Sequence, residues 1–314
     1  MAIATSGDNT MLDAIGNTPI MELRRILPAG CGRVFVKLES ANPTGSMKDR
    51  MARAVIMRAA ADGRLLPGGT VVEYTAGTTG ISLAFVCSAL GYKSHFVCSD
   101  AFSEEKHMTM RAYGAEVTDV QSDNGEINEK LIKAMIATAG EMSKQPGHWW
   151  ADQLNNADGE MGYHSLGEEI WEQTAGSLDA FVHSVSTAHS IHGTAHALRA
   201  HDQNVRIVAV EPDESAVLSG KPSGSHKIEG IGIGFIPPLW KPDEVDEILT
   251  VKTDEAKTMA RRLAQEEGVF AGTSTGANVV AAIRIAERLG RDSTVATIAV
   301  DSGLRYLSTD VFRT

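Results

Sequence analysis

The sequence has little that would indicate an oxidised, metal-bound or membrane-inserted protein. Its three cysteines, Cys31, Cys87 and Cys98, are odd in number and form no Cys-x-x-Cys pair, which argues against a disulfide framework and against a zinc site. No apolar run is long enough for a membrane span, and residues 1–9 contain no hydrophobic signal core. These absences predict a protein of the reducing cytoplasm without membrane contact.

Aromatic residues and positive charge are also scarce. Aromatic residues make up 5% of the 314 residues while glycines number 30, a balance that suits tight strand-to-helix turns better than an aromatic-rich β-sandwich. The net charge is −11 and no basic block interrupts the chain, so nucleic acid is not an expected partner. With 43% apolar residues, a chain of this length predicts an α/β protein of two lobes.

Hydrophobic patterns alternate between strands and helices along the chain. Short β-rich runs predict strands at residues 70–74, 94–98, 116–120, 180–185, 205–211 and 294–300. Helical spacing of apolar residues predicts helices after Lys48 and at residues 81–90, 104–113, 191–200, 254–267 and 277–289. This alternation is typical of parallel βαβ units and predicts two open, mainly parallel twisted sheets flanked by helices.

The same pattern suggests how the lobes divide. We expect a smaller α/β lobe at residues 40–148 and a larger, cofactor-binding α/β lobe formed by residues 1–39 and 149–314. Open parallel sheets hold ligands outside the carboxyl ends of their strands, so a ligand is expected in the cleft between the lobes.

Lys48 follows a turn-forming segment, Pro43-Thr44-Gly45-Ser46-Met47, and begins an amphipathic helical run. An amine held at such a place can form a Schiff base with an aldehyde cofactor, because partial burial keeps part of it neutral. Taken alone, Lys48 is more simply explained as a solvated residue at a helix start. Three loops further along the chain favour the Schiff-base interpretation.

The first two of these loops suit anions. Residues 75–80, Thr-Ala-Gly-Thr-Thr-Gly, join a strand to a helix and offer three hydroxyls together with backbone N–H groups. Residues 186–190, Ser-Thr-Ala-His-Ser, also lie between a strand and a helix and can cradle a phosphate. His189 and His192 have no acidic third ligand in the sequence pattern, so we expect His189 beside an anion and no metal.

The third loop contains Ser302 at the end of the last predicted strand. A serine hydroxyl there can hydrogen-bond a heteroaromatic ring nitrogen without protonating it, because serine is a very weak acid. The alternative explanation is a turn serine that bonds the local backbone.

These residues, in this order, resemble the pyridoxal-phosphate enzymes of the tryptophan-synthase-β fold type, and among them the cysteine synthase and cystathionine β-synthase family. The resemblance extends from residues 15–19, Ile-Gly-Asn-Thr-Pro, to residues 305–308. Its most specific segment is residues 226–237, His-Lys-Ile-Glu-Gly-Ile-Gly-Ile-Gly-Phe-Ile-Pro, which is similar to the family's loop at the mouth of the active site. Residues 272–277 and 302–307 match two more family segments.

The resemblance implies a role for each candidate residue. Lys48 would be the catalytic Schiff-base lysine. The substrate α-carboxylate would be bound by Thr75, Ala76, Gly77, Thr78, Thr79 and Gln153. The cofactor would also contact Thr78, Ser186, Thr187, Ala188, His189, Ser190, Gly230 and Ser302. The resemblance implies no metal.

The chain departs from the family pattern at two places. Thr78 stands where the family usually has an asparagine, and residues 186–190 replace the usual Gly-Thr-Gly-Gly-Thr phosphate cup. Thr78 is shorter than asparagine and lacks the amide donors, so substrate choice is expected to differ. Thr187 and Ser190 retain two hydroxyls, so phosphate binding is expected to be retained.

The implied activity is a pyridoxal 5'-phosphate-dependent β-elimination or β-replacement. The substrate would be a β-substituted L-serine derivative or cysteine, and a second nucleophile would add to an aminoacrylate intermediate in a homodimeric enzyme. Two alternatives stay open: a serine/threonine dehydratase or amino-acid racemase on the same fold, and a catalytically idle protein that binds the cofactor or a partner. No haem-binding extension or tandem regulatory domain follows in this sequence, so we expect no regulation through such modules.

Overall fold

A computed structural model of the chain describes residues 10–125 and 128–313, which form two compact units. The described residues of unit 1 fall within Met1–Gly16 and Asn42–Gly162, and those of unit 2 within Asn17–Ala41 and Tyr163–Thr314. Residues 1–9, which the sequence assigned to the larger lobe, lie outside the described residues.

Strands and helices alternate through both units. The strands are β1 (Ile20–Glu22), β2 (Arg33–Leu38), β3 (Thr70–Tyr74), β4 (Lys93–Ser99), β5 (Glu116–Val120), β6 (His148–Trp150), β7 (Ala180–Ser184), β8 (Arg206–Pro212), β9 (Glu247–Val251) and β10 (Thr294–Ala299). The α-helices are α1 (Lys48–Ala61), α2 (Thr78–Leu90), α3 (Glu104–Ala112), α4 (Glu129–Met142), α5 (Asp158–Met161), α6 (His164–Gln173), α7 (His189–His201), α8 (Thr253–Arg262) and α9 (Thr273–Leu289). Short 3₁₀ helices cover Met11–Ala14, Glu39–Ala41, Asp213–Ser215, Pro242–Glu244 and Gly303–Tyr306, and a π-helical turn covers Leu263–Glu267.

Unit 1 is built on a four-stranded parallel sheet in the order β5-β4-β3-β6. Helix α2 has no charged residue and buries every side chain from Thr79 to Cys87, as expected of a helix inside a packed unit. The left-handed backbone of Gly91, with φ +76°, ends this helix.

The borders of unit 1 differ from those of the predicted smaller lobe. Residues 149–162, assigned to the larger lobe from the sequence, lie in unit 1, where β6 pairs in parallel with β3. Residues 10–16 also belong to unit 1, because Arg53 of α1 donates to the Leu12 carbonyl oxygen at 3.1 Å and the Gly16 N–H donates to Asn42 Oδ1 at 2.9 Å.

Unit 2 is built on a six-stranded sheet in the order β1-β2-β10-β7-β8-β9. Only the short β1 is antiparallel to its neighbour within this sheet, and the other pairs are parallel. All six residues of β10 are buried, which fits its place near the centre of the sheet. The predicted α/β class with two mainly parallel sheets is therefore confirmed.

The topology places each predicted loop at the carboxyl end of a parallel strand. Residues 75–77 follow β3 and precede α2, residues 185–188 follow β7 and precede α7, and Ser302 lies shortly after β10. These are the ends at which open α/β sheets bind ligands. Among the residues described, no helix is both long and apolar enough to cross a membrane.

Candidate cofactor and substrate site

Lys48 is the first residue of α1 and follows a turn held by side-chain hydrogen bonds. The Thr44 backbone N–H donates to Asp49 Oδ2 at 2.8 Å and its hydroxyl donates to Asp49 Oδ1 at 2.6 Å. The Lys48 N–H donates to Ser46 Oγ at 3.2 Å. Asp49 is fully buried whereas Lys48 is half-buried. The turn therefore fixes the backbone of Lys48 and leaves part of its surface accessible.

Thr75 organises the turn between β3 and α2. Its Oγ1 accepts the N–H groups of Gly77 at 2.9 Å and Gly80 at 3.0 Å. Gly77 has φ +120°, and a Cβ at this position would collide with the side chain of Lys106, so glycine is required. Helix α2 starts at Thr78, and the N–H groups of Thr78 and Thr79 in its first turn have no acceptors within the helix. This turn is therefore suited to a carboxylate.

Gln153 lies next to this turn. The Thr79 hydroxyl donates to Gln153 Oε1 at 3.0 Å, and Gln153 Nε2 donates to the Tyr74 carbonyl oxygen at 2.8 Å. Unit 1 therefore brings Gln153 to the predicted carboxylate loop, although the two are far apart in sequence. The Lys48 turn contacts the same helix, because the hydroxyl oxygens of Thr44 and Ser82 lie 3.3 Å apart.

Glu73 is a buried carboxyl that the sequence analysis missed. It precedes Tyr74 in β3 and accepts the backbone N–H of Gln153 at 2.9 Å and the indole N–H of Trp150 at 3.3 Å. Burial raises the pKa of Glu73 to about 8, because the loss of water outweighs these donors. Its one sequence signal was an acidic residue in a short strand directly before the loop, which by itself does not indicate burial.

Residues 186–190 comprise the end of the turn after β7 and the first two residues of α7 in unit 2. Ala188 has a left-handed backbone with φ +73°, and α7, 13 residues long, begins at His189. The residues from Thr187 to Ser190 are buried and Ser186 is half-buried. A left-handed residue before a helix turns successive N–H groups toward one point, which is a phosphate-binding arrangement.

The histidines of α7 form hydrogen bonds inside unit 2. His189 Nδ1 lies 3.1 Å from Thr187 Oγ1. His192 Nδ1 lies 2.9 Å from Glu244 Oε2, and His192 Nε2 accepts the backbone N–H of Lys241 at 3.1 Å. Glu244 is an acidic partner of His192 that the sequence pattern did not indicate. His192 thus connects α7 to the segment at Lys241–Glu244.

Residues 226–237 form an internally bonded loop. His226 Nδ1 accepts the Ile228 N–H at 3.2 Å and its Nε2 donates to the Gly232 carbonyl oxygen at 2.8 Å. The Gly232 N–H donates to the Val185 carbonyl oxygen at 3.2 Å, directly before residues 186–190. Gly230 is exposed with φ +85°, and a Cβ there would meet nothing within 4 Å. Glycine at this position is therefore favoured by the left-handed backbone conformation and not by a lack of room for a side chain.

Ser302 caps the 3₁₀ helix Gly303–Tyr306. Its Oγ accepts the Leu304 N–H at 3.3 Å. That bond uses an oxygen lone pair and not the hydroxyl hydrogen, so the turn role and donation to a ring nitrogen are compatible. Next to it, the Tyr306 hydroxyl donates to the buried Asp301 at 2.8 Å and fixes the end of the strand.

Cys98, His107 and Asp119 of unit 1 each place one possible ligand atom within 4.8 Å of the others. His107 Nε2 lies 2.9 Å from Asp119 Oδ1 and His107 Nδ1 lies 3.1 Å from the Ser103 carbonyl oxygen. Burial raises the pKa of the Cys98 thiol to about 12, which opposes the thiolate that a metal needs. This group therefore fits a hydrogen-bonded cluster better than a metal centre.

The chemistry of the predicted residues fits the separate parts of pyridoxal phosphate. Unit 1 offers the amine of the half-buried Lys48, and unit 2 offers a helix start at residues 186–190 that suits a phosphate. Ser302 offers a hydroxyl donor whose oxygen is already bonded. None of these residues is acidic, so none of them would repel the cofactor phosphate by charge.

Known proteins that are similar to this chain in sequence or structure are pyridoxal-phosphate enzymes. A family model described as "Pyridoxal-phosphate dependent enzyme" matches residues 11–301. A cysteine synthase of Staphylococcus aureus is 41% identical over 300 residues, which cover 95% of each chain. The crystal structure of a cysteine synthase of Entamoeba histolytica has a TM-score of 0.91 at 36% identity and covers 100% of this chain and 94% of that one. An O-acetylserine dependent cystathionine β-synthase of Helicobacter pylori has a TM-score of 0.90 at 35% identity and covers 100% of both chains.

Proposed function

This chain belongs to the pyridoxal-phosphate dependent enzymes of the cysteine synthase family, and on this premise we propose that it catalyses β-replacement on a β-substituted L-serine derivative. A small nucleophile would take the place of the leaving group on the β-carbon. The observation that supports the proposal is the 3.0 Å hydrogen bond from the Thr79 hydroxyl to Gln153 Oε1, which joins Gln153 to the proposed carboxylate loop. Helix α2, which follows this loop, is also the helix that the Lys48 turn contacts.

Pyridoxal phosphate, when bound, supplies an aldehyde that condenses with amines and a ring that withdraws electrons from the substrate's α-carbon. Lys48 would hold the aldehyde between turnovers and, once released, would remove the α-proton as general base. The Thr44–Asp49 bonds keep the lysine backbone in place during both tasks. Proximity of the lysine amine to the α-carbon would supply a large part of the rate enhancement.

The loop from Thr75 to Gly80 would orient the substrate by its α-carboxylate. Thr75 fixes the loop from inside through its bonds to Gly77 and Gly80, so the N–H groups at the start of α2 are set before substrate arrives. Thr78 is half-buried in this loop, so part of its surface would be open to a bound substrate. We therefore assign the choice of first substrate to Thr78.

In unit 2, residues 186–190 would bind the phosphate and Ser302 would donate to the ring nitrogen. A serine hydroxyl cannot protonate that nitrogen, and this favours rapid loss of a β-leaving group over reactions that need a long-lived carbanion. The loop at Gly230 needs its left-handed backbone for its own shape.

We also infer a cytoplasmic homodimer, which the family resemblance implies. All three cysteines are free thiols, as a reducing compartment allows. Light scattering of the purified enzyme tests the dimer, since a mass near 33.5 kDa would identify a monomer instead.

Product analysis tests the proposed reaction. The cofactor-loaded enzyme is incubated with serine, O-acetylserine, O-phosphoserine or cysteine, first alone and then with sulfide or a thiol. We expect one β-substituted serine to change the absorbance of the bound cofactor and the nucleophile to restore it, with a new β-substituted amino acid as product. Formation of keto acid and ammonia alone, or of D-amino acid, would contradict β-replacement.

A further inference from the structure

A buried chain of three polar side chains lies behind residues 186–190. Ser190 Oγ of α7 lies 2.8 Å from His183 Nε2 of β7, and Asn278 Nδ2 of α9 lies 3.3 Å from His183 Nδ1. His183 and Asn278 have no exposed surface and Ser190 exposes 7%. Buried polar chains of this kind fix side-chain orientation when their members are hydrogen-bonded.

The backbone partners of Asn278 determine which atom donates in each of these hydrogen bonds. The Ser184 N–H donates to Asn278 Oδ1 at 2.8 Å, and Asn278 Nδ2 donates to the Ile298 carbonyl oxygen at 3.0 Å. These two backbone groups identify the amide oxygen and nitrogen, so an N–H of Asn278 faces His183. His183 Nδ1 is then the acceptor, and in the neutral ring Nε2 carries the hydrogen.

His183 Nε2 therefore donates to Ser190 Oγ. A hydroxyl oxygen that already accepts a hydrogen bond directs its own hydrogen away from that donor. Ser190 is the second residue of α7, where the helix end favours an anion. We propose that His183, oriented by Asn278, is a positioning residue that directs the Ser190 hydroxyl at the cofactor phosphate.

The departure from the family's cup explains the need for such a residue. Side chains at Ser186, Ala188 and His189 stand where the usual cup has glycines, and they restrict how closely the backbone approaches an anion. The two hydroxyls retained from the usual cup are each paired with a histidine, Thr187 with His189 and Ser190 with His183. Pre-oriented hydroxyls compensate for the lost freedom of the backbone. The inference rests on the proposed role of residues 186–190 and adds His183 and Asn278 to it.

The test measures the affinity of the apoprotein for pyridoxal phosphate by fluorescence titration, without substrate. Ser190→Ala should raise the Kd roughly tenfold or more, and His183→Ala roughly three- to tenfold. The double variant should bind no more weakly than Ser190→Ala alone, because His183 acts through the hydroxyl that this variant lacks. The phosphorus-31 resonance of the bound cofactor should shift in His183→Ala.

Two amide variants separate positioning from general support of the core. His183→Gln keeps an N–H near the place of Nε2 and should restore most of the affinity, whereas His183→Asn is too short to reach Ser190 and should not. His201→Ala is the matched control, since His201 ends the same helix and bonds Glu168 at 2.6 Å; its Kd should equal that of the wild type.

Three results would overturn the inference. They are a wild-type Kd in a folded His183→Ala protein, equal Kd values for the Gln and Asn variants, and a loss of affinity from His183→Ala that is as large in the Ser190→Ala background. If His183→Ala does not fold, as seen by apoprotein melting, the Gln and Asn pair decides. Because no substrate is present, these results are independent of whether the enzyme performs β-replacement.

Discussion

The backbone N–H of Gln153 donates a 2.9 Å hydrogen bond to Oε2 of Glu73, a carboxyl with no exposed surface. The bond joins the segment after β6 to the strand that precedes the proposed carboxylate loop. Because burial raises the pKa of Glu73 to about 8, from an ordinary value of 4.5, this carboxyl is mostly protonated at neutral pH in the folded enzyme.

The contribution of Glu73 to the free energy of unfolding should therefore fall as pH rises from 4.5 toward 8. In that window the unfolded chain has released a proton that the folded state retains, so rising pH favours unfolding, by at most ~1.4 kcal/mol for each pH unit. Glu73→Gln keeps an acceptor for Gln153 and removes the titration. Urea unfolding at several pH values should give a flatter profile for Glu73→Gln. The exposed Glu116→Gln is the control, and equal slopes in wild type and Glu73→Gln would refute the assignment.

Gly230→Ala should impair catalysis while changing stability only modestly. A non-glycine residue in the left-handed region costs about 1–2 kcal/mol, and nothing nearby would collide with the new methyl group. Gly220→Ala is a matched control, with φ +78° and an equally open Cβ position. Both variants should lose similar stability in thermal melts, but only Gly230→Ala should lower kcat/KM. An equal decrease in kcat/KM in both variants would show that Gly230 has no specific role in the active site.

Thr78→Asn should shift substrate preference toward O-acetylserine. Asparagine offers two amide donors and an acceptor where threonine offers one short hydroxyl, so the loop should form different hydrogen bonds with a small substrate. The comparison substrate is the serine derivative that the wild type prefers. The ratio of kcat/KM for O-acetylserine to kcat/KM for that substrate should rise roughly twofold to tenfold, the effect of one hydrogen bond. A panel of serine derivatives measures this ratio for both proteins. Unchanged ratios would show that Thr78 does not set substrate preference and would point to residues 230–237 instead.

Chelators should leave turnover unchanged. His189 and His192 have hydrogen-bond partners within unit 2, and the Cys98 thiol stays protonated at neutral pH. Dialysis against a chelator, followed by metal analysis and an activity assay, checks this expectation. Stoichiometric zinc whose removal abolishes turnover would disprove it. His189→Ala should instead weaken cofactor retention.

The sequence predicted the βαβ architecture and the loops because both depend on local patterns. Apolar runs that end in hydroxyl- and glycine-rich turns mark β3 and β7 and the helices after them. Helix starts were less accurate: α2 begins at Thr78, three residues before the predicted start, because Thr75 and Gly77 shape the turn before the apolar run begins. The helix predicted at residues 254–267 changes at Leu263 into a π-helical turn.

Pairings between distant residues were beyond local patterns. Thr79 and Gln153 lie 74 positions apart, and His183 and Asn278 lie 95 apart. Neither pairing has a periodic signal, because each depends on how whole elements pack. Glu73 was missed for a related reason: one acidic residue in a strand does not show from sequence whether it points to solvent.

The central claim, that Lys48 carries the cofactor, has a direct test. The loaded enzyme is reduced with borohydride, digested and mapped by mass spectrometry, with Lys48→Ala as the comparison. We predict the pyridoxyl label on Lys48, and an unlabelled but folded Lys48→Ala protein, since one half-buried amine contributes little to packing. A label on any other lysine, or a labelled Lys48→Ala protein, would contradict the account.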